Sequence, residues 1–302
     1  MGDALCVIQT SLRDMSYRGR FAPSPTGPLH AGSILTAVAS YLDAKASQGT
    51  WLVRIEDLDP PRTQAGAEQA ILQALEAYAL EWDEAVLRQS ERLSIYQDFT
   101  EQLLANQSAY YCSCSRSELK RRGALQHYDG HCLQHPPIPV EQRAIRAKGG
   151  LSAGFTDLIQ GSQDAEEVSD FIIFRRDGLF AYQLAVVVDD HLQQINQIVR
   201  GKDLLLETPK QQILMQRLKF SQVKNYAHLP LVLAKDGQKL SKQTFAKPVA
   251  MDIDNIRNTL IRTLFLLGLK PPSELIYNDL SDIYTWAITH WNIDKVPKDI
   301  NL

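Results

Sequence analysis

Cysteine is scarce in this 302-residue chain, and the four that occur are unevenly placed: Cys6 stands alone near the start, while Cys112, Cys114 and Cys132 share one segment. An odd cluster of this kind excludes a disulfide framework as the organising device. It fits metal ligation in a reducing compartment, so a cytoplasmic setting is expected. Long apolar runs are also missing: none approaches the ~20 residues that a membrane span needs, and no membrane partner is expected. The opening stretch MGDALCVIQTSLRDMS has neither the basic n-region nor the apolar core of a secretory signal, and residues 1–16 read as a disordered extension. Nor does charge of one sign dominate. The formal net charge is −3 with 22% of residues charged, which excludes bulk attraction to nucleic acid and leaves room for a local basic face. Internal repeats and low-complexity segments are absent. What is there is a globular composition, 44% hydrophobic, long enough to bury a large core in two or three lobes.

The most distinctive stretch runs from Arg18 to Ser33, RGRFAPSPTGPLHAGS. It begins as a short strand and breaks at Pro23, Pro25 and Pro28, which deny helix and ladder pairing. It then enters a helix in which Ile34, Leu35, Val38, Tyr41 and Leu42 recur at helical spacing. A helix N-terminus offers N–H groups and partial positive charge to a phosphate. Gly27 and Gly32 allow close backbone approach, and His30 is placed to donate to a phosphate oxygen. An ordinary strand–loop–helix joint would look the same in isolation.

Further on, Trp51–Ile55 reads as a buried strand that ends in an acidic cluster, Glu56-Asp57-Leu58-Asp59, where α/β sheets bind ligands. Helices follow over Ala67–Tyr78 and Glu91–Leu104, and the alternation predicts an α/β fold with a parallel, helix-covered sheet. From Tyr110 to Gly161 periodicity is weak and the cysteine cluster appears. An inserted subdomain over 109–178 is therefore expected between two halves of a catalytic domain, 17–108 and 179–250. Phe171–Phe174 and Ala181–Val188 flank an Asp177-Gly178 turn and read as the strands of a hairpin. Strands at Ile198–Val199 and Leu229–Leu233, a helix over Thr208–Lys219 and a helical region over 251–302 complete the expectation.

A second loop, Lys235-Asp236-Gly237-Gln238-Lys239-Leu240-Ser241-Lys242-Gln243, follows an apolar strand. Its lysines could fold over a triphosphate and offset charge building on a leaving pyrophosphate, although a lone KLSK is more simply a solvated turn. The two loops together resemble the signature motifs of class I aminoacyl-tRNA synthetases, usually H-x-G-H and K-M-S-K-S. Here they read His30-Ala31-Gly32-Ser33 and, about two hundred residues later, Lys239-Leu240-Ser241-Lys242-Gln243. The resemblance is to the glutamyl branch, with its RFAPSPTG, R-I-E-D, Tyr-x-Leu-Ala-x-x-x-Asp-Asp and R-G. These correspond to Arg20–Gly27, Arg54–Asp57, Tyr182–Asp190 and Arg200-Gly201, and the resemblance covers about Tyr17 to Pro248. Ser33 and Gln243 depart from the class pattern within what that branch tolerates.

The resemblance implies a Rossmann-type parallel sheet split by a zinc-bearing insertion. Only Pro248 to Leu302 follow the second motif, less than the ~100 residues of a further domain, so a truncated paralogue without an anticodon-binding domain is expected. Such paralogues activate L-glutamate with ATP and attach it to the queuosine base in the anticodon loop of tRNA(Asp). The implied partners are L-glutamate, ATP with Mg²⁺ and queuosine-modified tRNA(Asp), handled by a monomer. By resemblance Arg20, Phe21, Ala22, Pro23 and Ser24 line the amino-acid site, Glu56 holds the substrate ammonium, and Tyr182 and Arg200 complete the pocket. A guanidinium fork matches a carboxylate, which suits Arg20 and Arg200 to the two anionic ends. His30 and Lys242 are the expected catalytic groups, and Gly32, Lys239 and Ser241 join them around ATP. In the Cys112-x-Cys114…Cys132 cluster a structural zinc needs a fourth ligand; ligand chemistry favours His127, His131 or His135, while the resemblance favours Tyr128. Lys120, Arg121, Arg122, Arg143, Arg146 and Lys148 lie near Tyr110, Tyr111 and Tyr128, a composition that suits RNA and equally a solvated face. Two rival readings are a minimal glutamyl-tRNA synthetase charging a tRNA 3′ end and a catalytically silent tRNA-binding paralogue.

Overall fold

Trp51, Val53 and Ile55 point to one face of their strand and Leu52, Arg54 and Glu56 to the other, and this alternation sorts the core into two layers. The computed structural model describes residues 16–137, 143–221, 223–233 and 248–301. Strand Thr50–Ile55 pairs in parallel with Arg18–Phe21 on one side and Leu87–Arg88 on the other. A second parallel ladder, Gln197–Gly201 with Asn225–Leu229, lies beside it. The two are joined where Asn196 N–H donates to the Arg18 carbonyl (3.1 Å) and the Arg18 amide donates to the Asn196 side chain (2.9 Å). Helix Ala31–Ala46 and the C-terminal helices Ile253–Leu266 and Leu280–His290 cover one face, packing with Phe21, Val53, Val199 and Ala227. Helices Leu93–Ala105, Tyr182–Leu192 and Thr208–Leu218 cover the other, packing with Leu52, Ile198 and Tyr226. Among the described residues, no helix is long and apolar enough to cross a membrane.

Within 109–178, Ala109–Cys112, Ala144–Ala147 and Phe171–Phe174 form an antiparallel sheet. Strand Phe155–Asp157 instead pairs in parallel with Asn225–Leu229, Tyr226 opposite Asp157, and folds back as Gly161–Gln163. That pairing joins residues about 70 positions apart, beyond the reach of local patterning, and it matters for the site.

Two expectations are corrected. Ala181–Val188 is not a strand: Tyr182–Leu192 is a helix with Leu184 through Asp190 all buried. The Asp177-Gly178 turn does form, with Gly178 at φ +84° and one bridge between Phe174 and Phe180, but the chain then coils. Its valine run imitates a strand because the helix is enclosed by sheet on one side and helices on the other, and a helix buried all round shows no polar stripe. The strand expected over Leu229–Leu233 instead ends at Leu229, because Pro230 has no N–H for the ladder; Val232–Leu233 forms a separate short strand.

The end of that helix carries two adjacent carboxylates with separate duties. Asp189, fully buried, accepts from Gln89 Nε2 (2.8 Å), Arg92 Nε (2.8 Å) and Tyr96 OH (2.7 Å), tying the helix to Leu93–Ala105. Replacing Asp189 by alanine strands three donors, two of them buried. A loss of about 3 kcal/mol is expected, read as a lowered urea midpoint at unchanged slope.

Candidate functional site

The proline loop is fixed by backbone bonds. The Pro23 carbonyl accepts the Glu56 amide (3.0 Å) and the Pro25 carbonyl the Gln64 amide (2.9 Å). Gly27 adopts φ +151°, which a side chain would resist. His30 caps helix Ala31–Ala46: its Nδ1 accepts the amides of Gly32 (3.1 Å) and Ser33 (3.3 Å). Two of the helix-end N–H groups expected to meet a phosphate thus serve the ring, and their reward is its tautomer, with the proton on Nε2 as a donor. A Cβ on residue 32 would come within 3.1 Å of His30 Cε1, so Gly32 seats the imidazole. Lys239, Ser241 and Lys242 lie outside the described residues. The chain is next described near His30, where the Val249 amide donates to the Leu29 carbonyl (3.0 Å).

Beyond the loop, on the face under helix Tyr182–Leu192, lies a buried ionic network. Arg20 meets Asp190 through two bonds, Nε to Oδ1 (3.0 Å) and Nη2 to Oδ2 (3.3 Å). Arg54, wholly buried, donates to Asp190 Oδ1 (2.8 Å), Gln193 Oε1 (3.0 Å) and Glu56 Oε1 (3.2 Å). Burial works against the Asp190 charge, but the Arg20 and Arg54 guanidinium groups hold its carboxyl below the usual range. For Glu56 burial prevails over Arg54 and Arg20, and its carboxyl is pushed up. Burial also raises the Tyr182 phenol, which feels the charges of Arg200, Glu56, Arg20 and Asp190. The structure therefore brings Arg20, Glu56, Tyr182 and Arg200 together. Phe21 differs: its side chain stacks on Trp51 in the opposite layer (centroids 6.4 Å apart). Ala22 and Pro23 are half-buried, and Ser24 is exposed.

Arg20 and Arg54 both meet carboxylates, and each of Arg54 and Arg200 has one buried nitrogen without a partner, but among the described ion pairs none involves Arg200. Its Nε donates to His228 Nε2 (2.9 Å) and its Nη2 to Thr208 Oγ1 (2.8 Å) and the Leu204 carbonyl (3.3 Å). Nη1 is buried and has no hydrogen-bond partner. An unpaired buried guanidinium nitrogen is costly, and a carboxylate is the group that relieves it best. Sequence reasoning missed Asp157, Thr208 and His228, and it quoted Arg54 and Asp190 without giving them tasks. A histidine after Tyr226-Ala227 in the NYAHL strand was the available signal, but only register places it opposite Arg200.

The three clustered cysteines converge, with all Sγ atoms within 4.8 Å of one another. The Tyr128 hydroxyl joins them, 3.7 Å from Cys112 Sγ and 3.6 Å from Cys114 Sγ, and Cys114 and Cys132 Sγ are 3.4 Å apart. A tetrahedral zinc with Zn–S of about 2.3 Å and Zn–O of about 2.0 Å has edges of roughly 3.8 and 3.5 Å, so the donor set fits that ion. Among the described residues no imidazole enters the cluster; the His131 and His135 rings stack on each other instead. Burial pushes the Cys132 thiol up, but bonds from the Tyr128 hydroxyl and the Ser113 amide hold it at about 7. Arg146 Nε points at Cys112 Sγ (3.3 Å) and Arg122 Nη2 at Cys114 Sγ (3.2 Å), so both turn toward the sulfurs rather than standing as a free basic face.

The parallel α/β sheet, with a histidine-capped helix at its first loop and a buried arginine–carboxylate pocket beside it, agrees with a class I synthetase fold, and comparisons with known proteins show that class. The family model for the catalytic domain of class I tRNA synthetases (E and Q) matches residues 16–285, and the chain belongs to that ligase family. Two curated relatives are more specific, both named Glutamyl-Q tRNA(Asp) synthetase. The one from Pseudomonas aeruginosa is 48% identical, covering 94% of this chain and 96% of its own. The one from Vibrio cholerae is 45% identical, covering 95% and 94%. Among solved structures, a glutamate tRNA ligase from Elizabethkingia meningosepticum in complex with its amino acid superposes over 94% of this chain with TM-score 0.75 at 27% identity. Glutamate-tRNA synthetase from Elizabethkingia anophelis gives TM-score 0.76 at 26% identity over 95%. This chain spans 66% and 68% of those two, about two thirds of their length.

Proposed function

We propose that the chain activates L-glutamate with ATP and Mg²⁺ as glutamyl-adenylate and transfers it to the queuosine base at the wobble position of tRNA(Asp). The observation that carries the glutamate part is the buried, unpartnered Nη1 of Arg200 beside Tyr182, Arg20 and Glu56. In this reading Arg200 takes the side-chain carboxylate and Glu56 the ammonium. Arg20 offers Nη1, since its other two nitrogens serve Asp190, and the main chain of Phe21, Ala22, Pro23 and Ser24 forms the wall. The substrate α-carboxylate attacks the α-phosphorus in line and pyrophosphate leaves. His30 Nε2–H donates to phosphate oxygen with Gly32 beneath it, and Lys239, Ser241 and Lys242 follow the charge onto pyrophosphate. A hydroxyl of the queuosine cyclopentene ring then attacks the mixed anhydride and AMP departs. Cys112, Cys114, Cys132 and Tyr128 hold a structural zinc in an insertion over 109–178, which supplies a cross-link rather than chemistry. The protein works as a cytoplasmic monomer on this reading. The queuosine part rests on the names of relatives that match almost end to end.

Glutamate-dependent exchange of labelled pyrophosphate into ATP, with and without tRNA, tests the activation step, and well-folded protein that never supports exchange would favour a silent tRNA-binding role. The likeness to glutamate tRNA ligase structures keeps the alternative of 3′-end charging in play, and the site of label on tRNA separates the two.

The raised Glu56 carboxyl gives a pH signature. Binding of an ammonium needs the ionised form, so KM for glutamate is expected to climb as pH falls toward the raised pKa, above the ordinary 4.5, and to level off at higher pH. A carboxyl whose folded pKa is raised binds its proton more tightly in the folded chain, so ionising it costs stability as pH rises. Glu56→Gln is therefore expected to be no less stable than wild type at pH ~7.5 while its glutamate KM becomes high and flat with pH.

A further inference from the structure

We propose that Asp157 and His228 form a tautomer-locked positioning pair that fixes the guanidinium of Arg200 and so selects an anionic over a neutral substrate side chain; the inference rests on the glutamate reading above. Asp157 is held at every oxygen. Its Oδ1 accepts the amides of His228 (3.1 Å), Ile159 (3.0 Å) and Gln160 (2.8 Å), and its Oδ2 lies 2.6 Å from His228 Nδ1. A carboxylate only accepts, so the imidazole proton sits on Nδ1 and Nε2 keeps its lone pair. That lone pair is what Arg200 Nε–H meets at 2.9 Å. No other arrangement of protons satisfies all three residues. His228 is completely buried, and burial lowers its pKa, which keeps the ring neutral.

The consequence is best seen against Arg20. Arg20 lies against a carboxylate, Asp190, which offsets part of its charge. Arg200 is held by an imidazole, a hydroxyl and a carbonyl, all neutral acceptors, and the Asp157 charge stands one ring away. Its plane is fixed on two nitrogens while its charge and Nη1 remain available. A site built this way binds a carboxylate and rejects an amide, whose NH₂ would face the same N–H groups. Asp157 reaches His228 only because Phe155–Asp157 pairs in parallel with Asn225–Leu229.

Three variants separate positioning from packing. Asp157→Asn turns an amide toward Nδ1, which moves the ring proton to Nε2 and sets it against Arg200 Nε–H. His228→Leu fills the space without an acceptor, and His228→Gln keeps an oxygen that can accept from Arg200. Pyrophosphate exchange is expected to show glutamate KM raised about 10- to 100-fold in Asp157→Asn and His228→Leu, with ATP KM within about twofold. His228→Gln should recover to within about threefold of wild type, and the glutamate-over-glutamine preference should follow the same order. Nitrogen-15 NMR of the wild-type imidazole should show the proton on Nδ1. Folded variants with unchanged glutamate KM, equal losses in His228→Gln and His228→Leu, or a wild-type proton on Nε2 would each overturn the proposal. Wild-type protein lacking glutamate-dependent exchange would overturn the glutamate reading instead, and the tautomer spectrum would still decide the lock.

Discussion

Arg200→Ala is expected to lower kcat/KM for glutamate in pyrophosphate exchange by about 100- to 1,000-fold, the loss of a charge-assisted contact to a buried carboxylate. The expectation follows from the unpaired Nη1: a nitrogen that makes no bond in the protein contributes mainly when substrate arrives. Because the substrate's other groups would still meet Glu56 and Arg20, the damage should fall on glutamate KM and on discrimination against glutamine. ATP KM should move by less than about threefold, since the nucleotide is read by another loop. Arg200→Lys should fare little better. Lysine keeps the charge but cannot serve His228 and Thr208 together while aiming a third donor at the ligand. An alanine variant with wild-type selectivity would remove Arg200 from the pocket.

Chelating the proposed zinc should produce the second large effect. The apolar material around the cysteine cluster is Cys112, Tyr128 and Cys132, with Tyr110, Cys114 and Leu119 against them, a separate group from both main layers. A cluster that small cannot hold its segment by burial alone, whereas a structural zinc contributes on the order of 10 kcal/mol to the fold around it. Purified protein is expected to contain one zinc per chain. Chelation should expose the Cys112–Cys132 stretch to protease while the Asp190 network and the parallel sheet stay folded. Cys114→Ser should behave like the chelated protein, and Tyr128→Phe should bind zinc more weakly but not lose it. Full protease resistance after complete zinc removal would mean that the thiols are simply buried. The Arg122 and Arg146 contacts to sulfur belong to the same account, because guanidinium N–H donors suit zinc-bound sulfur.

How far the sequence could be read depended on how local each signal was. The proline loop, the strand Thr50–Ile55 and the C-terminal helices are local, and they stand where spacing and breakers put them. The Tyr182–Leu192 helix was misread because a run of valines buried on every side has no period to display. Among the site residues, Arg20, Glu56, Tyr182 and Arg200 came from family motifs, and they do converge. Asp190 and Arg54 were in those motifs, but their task as a charge anchor is a matter of geometry across 136 positions. Asp157 and His228 were out of reach. They are 71 residues apart, and only the parallel addition of Phe155–Asp157 to the sheet makes them neighbours. For the fourth donor of the proposed zinc site, free imidazole chemistry pointed to histidine and the family resemblance to Tyr128; the fold puts the Tyr128 oxygen among the sulfurs.

The most direct test is glutamate transfer to tRNA(Asp) carrying either queuosine or unmodified guanosine at the wobble position, each also prepared without its 3′-terminal adenosine. The account predicts ATP-dependent labelling of the queuosine form alone, undiminished by removal of the 3′ adenosine. Labelling that ignores queuosine and disappears with the 3′ end would contradict it.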